Sequence, residues 1–485
     1  MMSRNSFYFC IFTLIPILLF FYNPISVGDL SIWVKLGIDS IDQAHVISLD
    51  TYTLSETIPM VYPVFLSLVY GLLFKLNGIE LVAVAHALIP AVWLFYWLRF
   101  LKQQKTSESK ILNFWDAKTI TLFVISFLGL SIIYLPRPAL VSTIPFIISF
   151  YLLSIRKNME FRLKDLLSLV FLEILWVNVH GSFLILPLMI IWQIPFLLLQ
   201  KKMKLLLNRF LSFVLVILSI LINPFTFRVI PYTWETAIIS KARNLNEWFP
   251  THNFDYPFTS SYFYTISGLL LAILIFKVRT KEKALAVFSN PFFLLWISGF
   301  FALRNTFFIF LVLPIFIFDE LVNRNAKPFT SKRYSEAVNA CIIFVIAVAV
   351  ALMSPFFKRH IKDYLPEKYS STFNQDYRVE KINQFLSTHE GPIFNSWEYG
   401  SDLALVQNNK YFIDTRNIIF SDRVDHEYDL FLKQPTSDFV SKYQFKYLLL
   451  HKPKPGLLSW IKLQSDYSLV IEEGPAMLFE KQNNF

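Results

Sequence analysis

The residues of this sequence best suited to chemistry are charged and polar groups at the ends of apolar runs. Asp29 follows the apolar run 7–27 with almost no spacer, and Asp50 lies further along the polar stretch 28–61. Arg137 and Arg304 each occupy a turn of two or three residues between apolar runs, and Arg228 follows Asn223-Pro224. Tyr134, Asn178, His180, Glu247 and Asn305 lie at comparable ends. Charge at a hydrocarbon edge is costly unless it is paired or aimed at a polar cavity. A carboxylate held there can accept the proton of an attacking hydroxyl, and partial desolvation makes it a better base. Guanidinium groups match phosphate oxygens bidentately and stabilise the charge that grows on a departing phosphate. The chemistry that suits this inventory is glycosyl transfer from a lipid-linked phosphate sugar. One acid would act in the chemistry and the second in orientation or in holding a metal.

Plainer readings stand beside each of these. Asp29 also fits as the N-cap of the helix that follows it. Any one arginine also fits as a side chain reaching for lipid headgroups. His180, in Trp176-Val-Asn-Val-His-Gly181, suits a proton-transfer group, a phosphate ligand and a helix-end cap equally. Glu173 falls within an apolar run, where structural and functional roles are equally open.

The elements that carry these residues follow from composition. With 485 residues, 55% of them hydrophobic and 17% aromatic, 51 Phe and a mean hydropathy of +0.47, the chain is a polytopic membrane protein. The net charge of +10 comes from short Lys/Arg clusters between apolar runs, which carry topology information rather than a nucleic-acid patch. Cys10 and Cys341 both lie in apolar runs, so neither a disulfide nor a cysteine metal site is expected. The first apolar run lacks a small-x-small cleavage site and reads as a retained signal anchor.

Runs long enough to span, or nearly so, are 7–27, 79–99, 118–135, 138–155, 165–180, 181–199, 205–222, 262–277, 285–302, 304–320 and 336–355. The run 62–76 is short and interrupted by Gly71. Read as a helix at the interface rather than a span, it places five basic loops on one side, in agreement with the positive-inside rule. The expected topology is therefore about 11 transmembrane helices, with the N-terminus cytoplasmic and the C-terminus outside. Leu30, Trp33, Val34, Ile38 and Ile41 recur at helical spacing after Asp29, predicting an amphipathic helix on the membrane. From about 356 the composition turns polar and mixed. Strand-like runs at 392–394, 410–413, 447–450, 469–471 and 477–479 predict a small C-terminal extracytoplasmic α/β domain over 356–485. The preceding 1–355 forms the transmembrane domain, with 28–78 as its first outer loop.

These features resemble the GT-C superfamily of polyprenyl-phosphate-sugar-dependent glycosyltransferases, and more narrowly a group of uncharacterised bacterial membrane proteins of that class. The likeness rests on Asp29 to Gly37, Leu49-Asp50-Thr-Tyr-Thr-Leu-Ser55, Arg137-Pro138, Trp176-Val-Asn-Val-His-Gly181, Asn223-Pro224 with Arg228, Glu247-Trp248, Arg304-Asn305, Phe394-Asn-Ser-Trp-Glu-Tyr-Gly400 and Phe412-Ile-Asp-Thr-Arg416. The resemblance implies a GT-C-like fold and an inverting transferase that takes a sugar from a polyprenyl-phosphate donor. Its acceptor would be an envelope glycan, lipid or protein on the outer face of the bacterial inner membrane. It implies Asp29 as the catalytic carboxylate and Asp50 as a supporting acid. Arg137, Asn178, His180, Arg228, Glu247 and Arg304 would bind substrate. No cofactor is certain, and Mg or Mn is the divalent cation to test for. One departure is Met60-Val61-Tyr62-Pro63, where a His-Glu-Trp-like triplet is expected. The competing class is a non-catalytic membrane scaffold or lipid-binding subunit that recruits an envelope partner.

Overall fold

The computed structural model describes residues 30–47, 49–50, 52–55, 58–59, 63–104, 122, 125–126, 130, 138–242, 250–251, 257–277, 280–321, 379–405, 410–414, 420–464 and 466–482. The chain divides into two compact units. One comprises 1–20, 86–135 and 139–359, and the other comprises 21–85, 136–138 and 360–485.

Within its described residues the first unit is helical. Its helices of eight residues or more are Ile89–Gln104, Thr143–Ile155, Leu163–Val177, Ile185–Leu199, Met203–Ser219, Val229–Ala242, Pro257–Lys277, Lys281–Phe288, Phe292–Phe301 and Thr306–Leu321. Among the described residues, Pro138–Ile155 and Gly181–Leu199 are long and apolar enough to cross a membrane; Phe292–Phe301 and Leu303–Ile317 are apolar but shorter. The expected spans 7–27 and 336–355, and most of 118–135, lie outside the described residues. The expected run 285–302 is two helices, because Pro291 ends the ladder and the Asn290 side chain accepts from Phe292 N (3.0 Å) to start the next helix. The run 79–99 is interrupted at Leu88, where a new helix begins with Pro90 in its first turn.

Helix Thr306–Leu321 packs against Ile89–Gln104, Thr143–Ile155 and Phe292–Phe301. Phe292 and Phe316 stack at 4.0 Å between centroids, and the buried Trp97 Nε1 donates to Leu311 O at 2.8 Å. The Arg209 side chain is wholly buried in this unit. Arg209 donates to Gln193 Oε1 (2.7 Å), Asn208 Oδ1 (3.0 Å), Arg156 O (2.6 Å) and Met159 O (3.0 Å), with its guanidinium 3.6 Å from the Phe161 ring centroid. Its fixed fork of donors ties down the turn between two helices.

The second unit joins the start of the chain to its end. It contains α1 (Leu30–Asp42), a short antiparallel pair β1 (Leu49–Asp50) and β2 (Ile58–Pro59), and α2 (Val64–Ala87), whose last residues pass into the first unit. After these come α3 (Glu380–Thr388), β3 (Ile393–Asn395), α4 (Trp397–Leu403), α5 (Asp422–Lys433), α6 (Ser437–Tyr443), β4 (Tyr447–His451), α7 (Pro455–Leu463), β5 (Tyr467–Glu473) and β6 (Ala476–Lys481). The sheet order is β3-β4-β6-β5, with β3 parallel to β4 and the other pairs antiparallel.

The run Tyr447-Leu-Leu-Leu450 is apolar throughout because both faces of β4 are covered. Tyr447 and Leu449 face α3, α4 and α1 through Ile382, Leu386, Tyr399, Leu403, Ile32 and Leu36. Leu448 and Leu450 face α5, α6 and α7 through Val424, Phe431, Val440, Leu457 and Ile461. This corrects the expectation that α1 lies on the membrane by its apolar face. Its buried residues Ile32 and Leu36 pack into the core of the sheet, while Trp33, Ile38 and Ile41 are only partly covered.

The other neighbour of α1 is α2. A Cβ built on Gly37 would lie 2.8 Å from Gly71 N and closer still to the Ser67 carbonyl. The two helices therefore cross backbone to backbone, which only glycine permits. The helical geometry of α2 breaks at Asn77 (φ −159°, ψ 40°) and Gly78 (φ 67°, ψ −165°), the latter a conformation that favours glycine.

Candidate active site

Asp29, Arg137, Glu247 and Tyr134 lie outside the described residues, as does the Met60-Val61-Tyr62 departure. Asp50 is the second residue of β1, opposite Ile58; its side chain is likewise outside the description. The loop that carries it is braced. Tyr52 Oη donates to Asp39 Oδ2 at 2.5 Å, Asp39 pairs with Lys35 at 3.0 Å, and Lys75 pairs with Asp42. Thr53 forms a parallel bridge to Tyr411, which also bridges Ile393 of β3. Leu54 N donates to Tyr411 O (2.7 Å), Tyr411 N to Tyr52 O (3.3 Å), and Arg423 Nη2 to Ser55 O (3.2 Å).

In the first unit the turns bearing the other predicted residues are linked at one end of the helices. Asn178 caps the C-terminus of Leu163–Val177, and its Nδ2 donates to Ile174 O (2.7 Å) and Ile222 O (2.9 Å). That bond ties it to the turn of Asn223, whose Oδ1 accepts from Phe225 N (2.8 Å). Arg228 ends the following 3-10 turn, Thr226–Arg228, and is exposed. Arg304 is half-buried in the 3-10 turn Leu303–Asn305, where it is engaged with neighbouring groups. Immediately after that turn, Phe307 meets Trp93 (5.8 Å) and Phe308 meets Phe146 (4.8 Å), which in turn meets Trp176 (6.0 Å).

His180 is a helix-end cap. Its Nδ1 accepts from Ser182 N at 3.1 Å, at the start of the 3-10 turn Gly181–Leu184. In the neutral ring the proton therefore resides on Nε2, so exchange with a substrate would run through Nε2. Ser182 Oγ also lies 2.8 Å from Nδ1, accepts from Trp176 Nε1 (3.0 Å) and donates to Ser142 Oγ (3.2 Å). The small hydroxyls of Ser142 and Ser182 carry no sequence signal of their own. Glu173 is wholly buried in Leu163–Val177, and neither of its carboxylate oxygens has a hydrogen-bond partner among the described residues.

A further polar group gathers at the carboxyl ends of the parallel strands β3 and β4. Tyr399 Oη and His451 Nδ1 are 2.8 Å apart, His451 N donates to Ser396 Oγ (2.9 Å), and Trp397 N donates to Tyr428 Oη (3.0 Å). Burial pushes the Glu398 carboxyl above its ordinary pKa, and the nearby His451 only partly offsets this. Among the described residues no group of three or more His, Cys, Asp or Glu side chains is gathered to hold a metal ion.

No protein-family model matches the sequence, and no curated protein matches it. The fold, however, is shared with solved structures. One is an Archaeoglobus fulgidus oligosaccharyltransferase tethered to an acceptor peptide containing the NVT sequon via a disulfide bond. It has a TM-score of 0.54 and 14% identity, and the match covers 92% of this chain and 69% of that one. A second structure of that enzyme, in complex with Zn and sulfate, has a TM-score of 0.53 and 14% identity, covering 98% of this chain and 73% of that one. The chain has a helix-dominated fold similar to that of this oligosaccharyltransferase.

Proposed function

We propose that this protein is a membrane glycosyltransferase that moves a sugar from a polyprenyl-phosphate-linked donor to an envelope acceptor on the outer face of the bacterial inner membrane. The observation that carries this reading is a fold shared with oligosaccharyltransferases over more than nine-tenths of the chain. Asp29 is the catalytic carboxylate, drawing the proton from the acceptor hydroxyl as its oxygen attacks the anomeric carbon. Asp50 supports it. Arg137, Arg228 and Arg304 hold the donor phosphate, and Asn178, His180 and Glu247 complete the substrate site. A divalent cation, Mg or Mn, would be held by the acids.

Eleven spans and an extracytoplasmic α/β domain at 356–485 belong to the same reading. The hydrogen bonds between residues 52–55 and residues 411 and 423 support it by parity. Groups so joined lie on one side of the membrane, so the chain between them crosses an even number of times. Ten spans fulfil this; counting 62–76 as another would make eleven and separate the two.

The test is native mass spectrometry of the protein in mild detergent, paired with an assay of sugar transfer in membranes. A bound polyprenyl phosphate or its sugar adduct, weakened by Arg304→Ala but retained by a transfer-dead Asp29→Asn protein, supports the proposal. Bulk phospholipid alone, unchanged by either substitution, returns the weight to a scaffold.

A further inference from the structure

The loop that carries Asp50 is held by a sheet encoded more than 300 residues later, and one buried side chain connects the two. Asn395, the last residue of β3, is wholly buried. Its Oδ1 accepts from Phe412 N (3.0 Å) and Ile413 N (3.3 Å), and its Nδ2 donates to Ile413 O (2.7 Å) and Ser396 O (3.0 Å). These bonds fix residues 412–413 against β3. Tyr411, one residue earlier, is bridged on one side to Ile393 and on the other to Thr53. The segment 52–54 thus adds to the sheet outside Tyr411. Tyr52 packs against one face of the core and Leu54 against the other. Asp50 is two residues from Tyr52, in the strand that pairs with β2.

The packing around 411–414 allows little slack. Gly400 meets this segment so closely that a Cβ would lie 2.5 Å from Asp414 Cα, and Tyr411 Oη donates to Asp414 Oδ2 (3.2 Å). A rigid segment transmits its register to whatever pairs with it, whereas a loop on its own would hold Asp50 loosely.

We infer that Asn395 is a positioning residue for Asp50: it fixes residues 411–413, and these fix residues 52–54 of the first outer loop. The inference rests on the proposed function for the role of Asp50, but the placement of the loop is testable without it.

The experiment compares the full-length wild-type chain with Asn395→Ala and Asn395→Asp in detergent, by amide hydrogen exchange and by transfer kinetics with a polyprenyl-phosphate sugar. The aspartate keeps the acceptor for Phe412 N and Ile413 N. For Asn395→Ala, exchange in 52–55 and 411–414 should rise about tenfold or more while β4 and β6 keep their protection. Turnover should fall about tenfold with the donor KM unchanged, as expected when a reacting group is misplaced and substrate binding is intact. Asn395→Asp should recover part of both. Unchanged exchange in 52–55, or an equal rise across β4 and β6, overturns the inference. So does normal turnover in a variant whose loop has loosened. If the wild type transfers no sugar, the proposed function fails, and the exchange pattern alone decides whether Asn395 orders the loop.

Discussion

Gly37 of α1 and Gly71 of α2 meet with no side chain between them. A Cβ on Gly71 would lie 2.5 Å from Ile38 N, and one on Gly37 would lie 2.8 Å from Gly71 N. Either methyl must push the two helices apart. Overpacking of this kind costs about 1–3 kcal/mol, so Gly37→Ala and Gly71→Ala should each lower the thermal midpoint in detergent. The double variant should cost less than the sum, because the first methyl has already opened the contact. Additive losses would show that the close approach is not what the glycines serve.

The hydrogen bond from Tyr52 to Asp39 closes the loop onto α1 at 2.5 Å. Bonds to charged acceptors are worth about 1.5–3 kcal/mol, so Tyr52→Phe should destabilise the second unit by that order. Asp39→Asn combined with Tyr52→Phe should show coupling in a double-mutant cycle. Chemical unfolding followed by tryptophan fluorescence, with Trp33 on the same helix, would measure it.

Ser182→Ala removes the acceptor of Trp176 Nε1 and the donor to Ser142. A buried donor left unpaired costs about 1–3 kcal/mol. His180→Ala loses a helix cap, at about 0.5–2 kcal/mol. If His180 also binds substrate, His180→Ala should impair sugar transfer more than Ser182→Ala at matched stability. Equal impairment would leave His180 as a cap only.

The Glu398 carboxyl has its pKa raised by burial. An acid shifted this way binds a proton more readily folded than unfolded. Its contribution is fully present below the unfolded pKa and is lost as pH rises through the folded one. Glu398→Gln should therefore flatten the fall in stability of the second unit above the ordinary carboxylate range and stabilise it at neutral pH relative to wild type. Thermal unfolding at acidic and neutral pH tests this; a parallel shift at both would refute it.

Arg209 holds Arg156 O and Met159 O in the turn before Leu163–Val177. Arg209→Met takes away the donor to Met159 O, at about 1–3 kcal/mol for a carbonyl that stays buried, while Arg156 O keeps its bond from Met159 N. The expected sign is faster tryptic cleavage at Lys157, with cleavage elsewhere unchanged.

The sequence was most legible where pattern alone decides structure. The strand-like runs at 392–394, 447–450, 469–471 and 477–479 lie within or against the observed β3, β4, β5 and β6. The break in helical geometry at Asn77-Gly78 is also visible, because Gly78 sits at a positive φ. Less legible was what covers an apolar face. The spacing of apolar residues in α1 calls for a partner but does not say whether lipid or protein provides it, and the structure supplies Tyr399 and Leu403. Arg209 stood inside an apolar run that reads as a span, and only the fold brings the turn carbonyls to it. Asn178 and His180 stand out as polar residues at a helix end, whereas Ser142 and Ser182 are too common to notice. Asn395 lay within a motif that could be recognised but not interpreted, since its partners 412 and 413 lie across a gap in sequence.

The packing of α1 beneath the sheet also sets a timetable. Ile32 and Leu36 are synthesised early, but their covering residues Val379, Tyr399 and Leu403 are made more than 300 residues later. At ribosomal rates of about 5–20 residues per second, α1 waits on the order of 20–70 s for its partner to emerge. During that interval the apolar face of the helix lacks its covering residues and is open to non-native contacts. The apolar stripe of α1 is thus a liability for the nascent chain and one wall of a buried core in the finished protein.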